Sequence, residues 1–215
     1  MAECCLCVEL RGELDSEFCH RYQGVLPNRI ITETENFVVV PSIGQIVEGY
    51  LLIVAKAHHP SMGCLSDSEI KELEDLMQRT RLLLTPTYGR PLFFEHGVVD
   101  GIESGGCGIS HAHIHAVPLA DEVDLLPLIQ QSFRGCSIQS LTGLTQKALY
   151  DRPYLFYEDQ QANRYLFDLH AANGIPSQYL RRAIASKLGS QEWDWRSFGQ
   201  ENKLLATLTT LKTLK

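Results

Sequence analysis

The sequence holds no apolar run of ~18 residues or more, so no helix is expected to span a bilayer. Its first residues, Met1-Ala2-Glu3-Cys4-Cys5, lack a basic stretch followed by an apolar one, and no secretory signal is expected there. Positive charge is also in short supply. The 19 Lys and Arg stand against 26 Asp and Glu, giving a formal charge of −7 and a pI near 5.6. A broad nucleic-acid footprint needs clustered Lys and Arg, so nucleic acid is an unexpected partner. A single phosphorylated ligand is not excluded, because a local set of donors can hold one phosphate on an acidic protein. Internal repeats and low-complexity tracts are absent. The seven cysteines are an odd number with three crowded at positions 4, 5 and 7. That points to reduced thiols in a cytoplasmic chain, with metal binding favoured over a disulfide framework.

What is present is ordinary globular material: 215 residues, 44% hydrophobic and 21% charged. This length suits one main domain with a sizeable appendage. Ile30–Thr34, Phe37–Val40 and Tyr50–Val54 are expected strands, the second closed by Pro41. Ser66 with Glu69 forms a capping box, and Ile70, Leu73, Leu76 and Met77 share one face of the helix that follows. Pro86 and Gly89 are expected to end it. Leu92-Phe93-Phe94 opens a further strand. Beyond about residue 120 the pattern weakens: strand-like material at Leu149–Phe156 is interrupted by Pro153, Ser177–Leu188 suits a helix, and the last segment is compatible with another.

Chemistry concentrates in His111-Ala112-His113-Ile114-His115-Ala116-Val117, which follows the glycine-rich Gly101–Gly108. Alternation with period two puts the three imidazoles on one face of a strand and Ala112, Ile114 and Ala116 on the other. Neutral imidazole is a good nucleophile toward phosphorus near neutral pH, since its ordinary pKa is ~6.5. A second imidazole two residues away can donate to a phosphate oxygen or protonate a leaving group. The backbones of Gly105, Gly106 and Gly108 can approach a phosphate closely for want of side chains. The competing interpretation is a plain metal site or a set of satisfied polar residues.

The run from His111 to Val117 resembles the histidine triad (HIT) signature. The resemblance extends to Gly44–His58, with its Lys56-Ala57-His58, and to Phe93–Gly97 and Gly105–Gly108, covering roughly residues 1–120. It implies an α+β fold: an antiparallel sheet of about five strands with two main helices, often paired as dimers. Residues 121–215 would then be a C-terminal extension of unassigned role. By this resemblance His113 is the nucleophile that forms a nucleotidyl-His intermediate and His115 contacts the α-phosphate. Glu95, Gly106, Cys107, Gly108 and His115 would border the substrate. Glu95 replaces the family's usual Asn, and Gly108 replaces a Ser that assists the leaving group. His115 stands where the transferase branches carry Gln, which favours water as acceptor. The implied activity is a nucleotidyl hydrolase acting on a dinucleoside polyphosphate or nucleoside phosphoramidate. The alternatives are a nucleotidyltransferase or phosphorylase, or a zinc-stabilised nucleotide-binding protein without efficient turnover.

Cys4 and Cys7 form a Cys-x-x-Cys pair, half of a tetrahedral zinc site. The resemblance completes it with His58 and His111, and Cys5 and His59 are adjacent competitors. A reduced, frayed terminus is the alternative. Cys107 reads as a packing residue, and His96 and His20 as ordinary polar residues. Arg181-Arg182 suits a solvated helix face better than a phosphate contact, and Trp193 and Trp195 suit anchors for the extension.

Overall fold

The strands Phe37–Pro41 (β2) and Leu51–Ala55 (β3) are apolar at nearly every position, and all ten residues are buried. Strands with this pattern need cover on both faces. The computed structural model describes residues 3–22, 25–98, 109–120, 123–145, 152–169 and 175–213, and in it both faces of the sheet are covered. With β1 (Thr32–Glu33), β4 (Pro91–Gly97), β5 (His113–Pro118), β6 (Arg134–Ile138), β7 (Tyr154–Glu158) and β8 (Arg164–Asp168), these strands form one sheet. Every pairing is antiparallel, and the order is β1-β2-β3-β5-β4-β7-β8-β6.

Eight strands, where about five were expected, have a simple origin. Five come from residues 32–118, and the extension adds β6, β7 and β8 beyond β4. The weak pattern after residue 120 showed only part of them: the strand-like Leu149–Phe156 overlaps β7, which starts past Pro153, whose ring nitrogen has no proton to give a ladder, while β6 and β8 were not expected. β6 alternates nothing legible, because its residues are mostly exposed.

One face is covered by α3 (Asp67–Tyr88), which buries Ile70, Leu73, Leu76, Met77, Thr80 and Leu84 against Phe37, Ile53, Phe93 and Ile114. Its capping box is formed as expected, with Ser66 Oγ accepting from the Glu69 amide and Glu69 accepting from the Ser66 amide. Truncating Leu76 to Ala in this layer would cost ~2–5 kcal/mol. The helix does not stop at Pro86. Pro86 sits in its last turn, where Thr85 Oγ1 donates to the Arg81 carbonyl, and Gly89 at φ 93° ends it in a conformation open to glycine. On the same face α6 (Glu201–Thr213) contributes Leu204, Leu208 and Leu211.

The opposite face carries α1 (Cys5–Leu10), α4 (Leu126–Ser132) and α5 (Tyr179–Lys187), with Leu6, Ile129, Leu180 and Ile184 packed on Val38, Leu52, Phe94 and Leu155. A second short N-terminal helix, α2 (Glu17–Tyr22), precedes the sheet. Glu158 in β7, 1% exposed, pairs with Arg81 of α3 and with Arg164 of β8, which also reaches Glu74 at 2.8 Å. These ties join the extension to the helix that covers the first five strands.

Candidate active site

Strand β5 lies between β3 and β4, with Leu52 and Phe94 both paired to His115 and Val54 paired to His113. Its pleat sends Ala112, Ile114 and Ala116 into the α3 layer. His113 and His115 therefore emerge on the opposite face, as the period-two pattern requires. Their rings stand 4.9 Å apart, and His115 stacks on Phe94 at 4.3 Å and 13°. His113 Nδ1 lies 2.6 Å from the His111 carbonyl, and Tyr50 Oη lies 2.7 Å from His115 Nδ1. Burial pushes the His113 imidazole down to about 4, assisted by charge repulsion from His111. It holds His115 well below the ordinary range, with His113 and Arg181 adding to the effect. Both rings are thus neutral near pH 7.

The two imidazoles line a cavity whose floor includes Leu52, Phe94 and His96. The N-terminal arm walls one side with Cys5 and Leu6, and the extension walls another with Gln178, Arg181 and Trp195. Arg181 is 3% exposed, contrary to the solvated face expected of it; Arg182 is the exposed member of the pair. Arg181 donates from Nη2 to the Gly44 carbonyl at 2.5 Å and from Nε to the Trp193 carbonyl at 2.9 Å. Its guanidinium sits 5.2 Å from the Tyr50 ring centroid. Trp195, expected only to anchor the extension, also faces the cavity, whereas Trp193 packs in the apolar layer under Arg182.

Glu95 is not brought to this site. In β4 it alternates to the α3 side, where Oε1 accepts from the Met62 amide at 2.8 Å and Oε2 meets Tyr154 Oη at 2.6 Å. Its neighbour His96 faces the cavity instead. The signal was there in the sequence, since Leu92, Phe94 and His96 share one parity of a strand. His96 Nε2 is closed off from solvent and has no hydrogen-bond partner among the described residues. Burial, then charge repulsion from His113, pushes the His96 imidazole down to about 4. Gly106, Cys107 and Gly108 lie outside the described residues.

A second cluster adjoins the first. Donor atoms of Cys4, Cys7, His58 and His111 all lie within 4.8 Å of one another. His111 Nδ1 is 3.4 Å from Cys4 Sγ, 3.5 Å from Cys7 Sγ and 3.3 Å from His58 Nδ1, and Cys7 Sγ is 3.3 Å from His58 Nδ1. On its other side His111 Nε2 meets the Ala55 carbonyl at 2.7 Å. A carbonyl only accepts, so the proton sits on Nε2 and Nδ1 keeps its lone pair for the cluster. This group can hold a metal ion. Cys5 lines the cavity, and His59 approaches Glu69 at 3.9 Å; neither belongs to the cluster. His20, exposed, pairs with Asp15 at 3.0 Å.

No family model matches the chain, and no curated protein matches it. The solved structures it resembles include histidine triad proteins. A hypothetical histidine triad nucleotide-binding protein from Sulfolobus tokodaii is 19% identical over 45% of this chain and 62% of that one, with a TM-score of 0.37. This chain therefore spans less than two thirds of that protein's length. A HIT family hydrolase from Clostridium thermocellum is 16% identical over 58% of this chain and 96% of that one, at 0.38. A Zn-bound histidine triad family protein from Mycobacterium smegmatis is 19% identical over 52% and 80%, also at 0.38. No helix among the described residues is long and apolar enough to cross a membrane.

Proposed function

We propose that this chain is a histidine triad nucleotidyl hydrolase that cleaves a nucleoside monophosphate from its leaving group through a nucleotidyl-His113 intermediate. The observation that carries the proposal is the fixed state of His113. Its Nδ1 lies 2.6 Å from the His111 carbonyl, which can only accept, so Nδ1 holds the proton and Nε2 holds the lone pair. Burial keeps the ring neutral, and a neutral imidazole with a defined lone pair is what attack on phosphorus needs.

In the first step His113 Nε2 forms a bond to the α-phosphorus as the bond to the leaving group breaks. The positive charge left on the ring is shared through Nδ1–H with the His111 carbonyl. Water then attacks the same phosphorus, the P–N bond breaks, nucleoside monophosphate leaves, and the surplus proton passes to solvent. His115 contacts the α-phosphate throughout, and Phe94, Leu52 and Trp195 supply apolar walls for the rest of the nucleotide. The leaving group is a nucleotide in a dinucleoside polyphosphate, which departs as its anion, or an amine in a phosphoramidate, whose nitrogen takes up a proton from solvent as its bond to phosphorus breaks. Two copies pairing as a dimer belong to the same proposal, checked by sedimentation.

Cys4, Cys7, His58 and His111 would hold a structural zinc. Two thiolates and two imidazoles on a tetrahedral zinc stand about 3.3–3.8 Å apart. Four of the six separations here are 3.3 to 3.5 Å and all six are within 4.8 Å, which supports that occupant. With four protein ligands such a site is closed, and zinc bound there would tie the N-terminal arm to the start of β5.

The test is release of AMP from adenosine 5′-phosphoramidate and from diadenosine tetraphosphate. We expect release by the wild type and its loss in His113→Ala, with nucleotide binding retained. Equal release by both proteins would refute the proposal. Faster nucleotide release on adding phosphate or a sugar phosphate, with a new phosphorylated product, would move the assignment to a transferase.

A further inference from the structure

Tyr50 is wholly buried just before β3, and its hydroxyl lies 2.7 Å from Nδ1 of His115. Two hydrogen-bond directions are open in principle. If His115 Nδ1–H donated to the phenol oxygen, the phenol proton would need an acceptor of its own. Among the described residues the other polar group beside it is the Arg181 guanidinium, which donates only. A buried hydroxyl left without an acceptor costs ~1–3 kcal/mol. Tyr50 O–H therefore donates to Nδ1, which leaves the His115 proton on Nε2. Burial raises the Tyr50 phenol above its ordinary value, against a smaller opposing effect from Arg181, so the hydroxyl keeps its proton at neutral pH.

We infer that Tyr50 and, behind it, Arg181 of the C-terminal extension are positioning residues that hold His115 as its Nε2–H tautomer. The arrangement makes the two neighbouring imidazoles complementary. His113, bonded through Nδ1–H to a carbonyl, presents a lone pair at Nε2. His115, accepting at Nδ1 from a phenol, presents a proton at Nε2. One ring is set to bond to phosphorus and the other to donate to a phosphate oxygen.

Arg181 does this work at one remove. It lies over the Tyr50 ring and grips the turn before β3 through the Gly44 carbonyl, with Ser42 Oγ at 3.4 Å. Its Nε bond to the Trp193 carbonyl ties the same side chain to the segment after α5. This gives residues beyond 120 a part in the site that the histidine run alone does not reveal. The catalytic meaning of the tautomer rests on the function proposed above; the tautomer itself does not.

Long-range nitrogen–proton correlation NMR on the ¹⁵N-labelled full chain tests the inference, with His115→Gln identifying the His115 signals. We expect an unprotonated Nδ1 and a protonated Nε2 in the wild type. Tyr50→Phe is close to isosteric, and in it the Nδ1 signal should move toward the protonated position. Arg181→Gln should give a smaller shift in the same direction. With adenosine 5′-phosphoramidate, kcat of Tyr50→Phe should fall at least tenfold with little change in KM, toward the roughly hundred- to thousandfold that removing a preorganised donor outright costs. A wild-type spectrum showing Nδ1–H on His115 would overturn the inference even if neither variant folded. So would an unchanged tautomer in folded Tyr50→Phe. If the tautomer shifts as expected and no protein turns over the phosphoramidate or diadenosine tetraphosphate, the positioning stands and the hydrolase assignment fails.

Discussion

Replacing Glu95 by Gln should make the protein more stable at pH 8 and should flatten its stability between pH 5 and pH 8. Glu95 is 1% exposed, between the Met62 amide and the Tyr154 hydroxyl. Burial pushes its carboxyl up from 4.5 to about 7, and the two hydrogen bonds offset only part of that rise. Between those values the folded chain holds a proton that the unfolded chain has released. The contribution to stability is therefore complete below pH 4.5 and is lost as the pH rises through 7. At ~1.4 kcal/mol per pH unit the gap corresponds to at most roughly 3–4 kcal/mol. Gln keeps an acceptor for the Met62 amide and puts a donor toward Tyr154 without an ionisable proton. Urea denaturation of wild type and Glu95→Gln across this pH range measures the difference directly. Subtracting one from the other also removes the buried histidines, whose lowered values give the opposite slope. A difference that does not change with pH would refute a buried, protonated Glu95.

Other expectations are independent of that one. Chelation, or Cys7→Ser, should lower the melting temperature and remove a stoichiometric metal detectable by elemental analysis; full retention of stability without any metal would contradict the cluster. His96→Ala should reduce AMP release from adenosine 5′-phosphoramidate at least tenfold, since its buried Nε2, without a partner among the described residues, lies in the wall of the same cavity as His113; unchanged kinetics would reduce His96 to a wall residue. Glu158→Ala should destabilise by ~3–5 kcal/mol, because it takes the shared buried carboxylate from Arg81 and leaves Arg164 with Glu74 alone. Equilibrium unfolding would show that loss, and a change under 1 kcal/mol would mean the pair is solvated.

Legibility in the sequence followed local periodicity. The capping box at Ser66 and Glu69 and the apolar face of α3 repeat every three to four residues, so that helix could be placed from its own residues. The triad could be placed because two-residue alternation is a short-range rule, and the same rule, applied to Leu92, Phe94 and His96, would have turned Glu95 away from the site. The metal cluster joins residues 4, 7, 58 and 111, and only the resemblance linked them. Arg181 escaped because a basic pair on a helix usually faces water; its burial depends on Gly44, Trp193 and Tyr50, all distant in sequence. Strands β6 and β8 escaped, and β7 was legible only as strand-like material; its place in the sheet was not, as β4 pairs with β7 across some 60 residues and nothing local announces it.

The central claim is a covalent bond between His113 and the nucleotide. Rapid acid-free quenching of the enzyme with adenosine 5′-phosphoramidate, followed by intact-mass and peptide mass spectrometry, tests it most directly. The account predicts a transient adduct of one AMP moiety on the peptide containing His113, absent in His113→Ala. Product formation with no adduct at any time point, or an adduct on another residue, would contradict it.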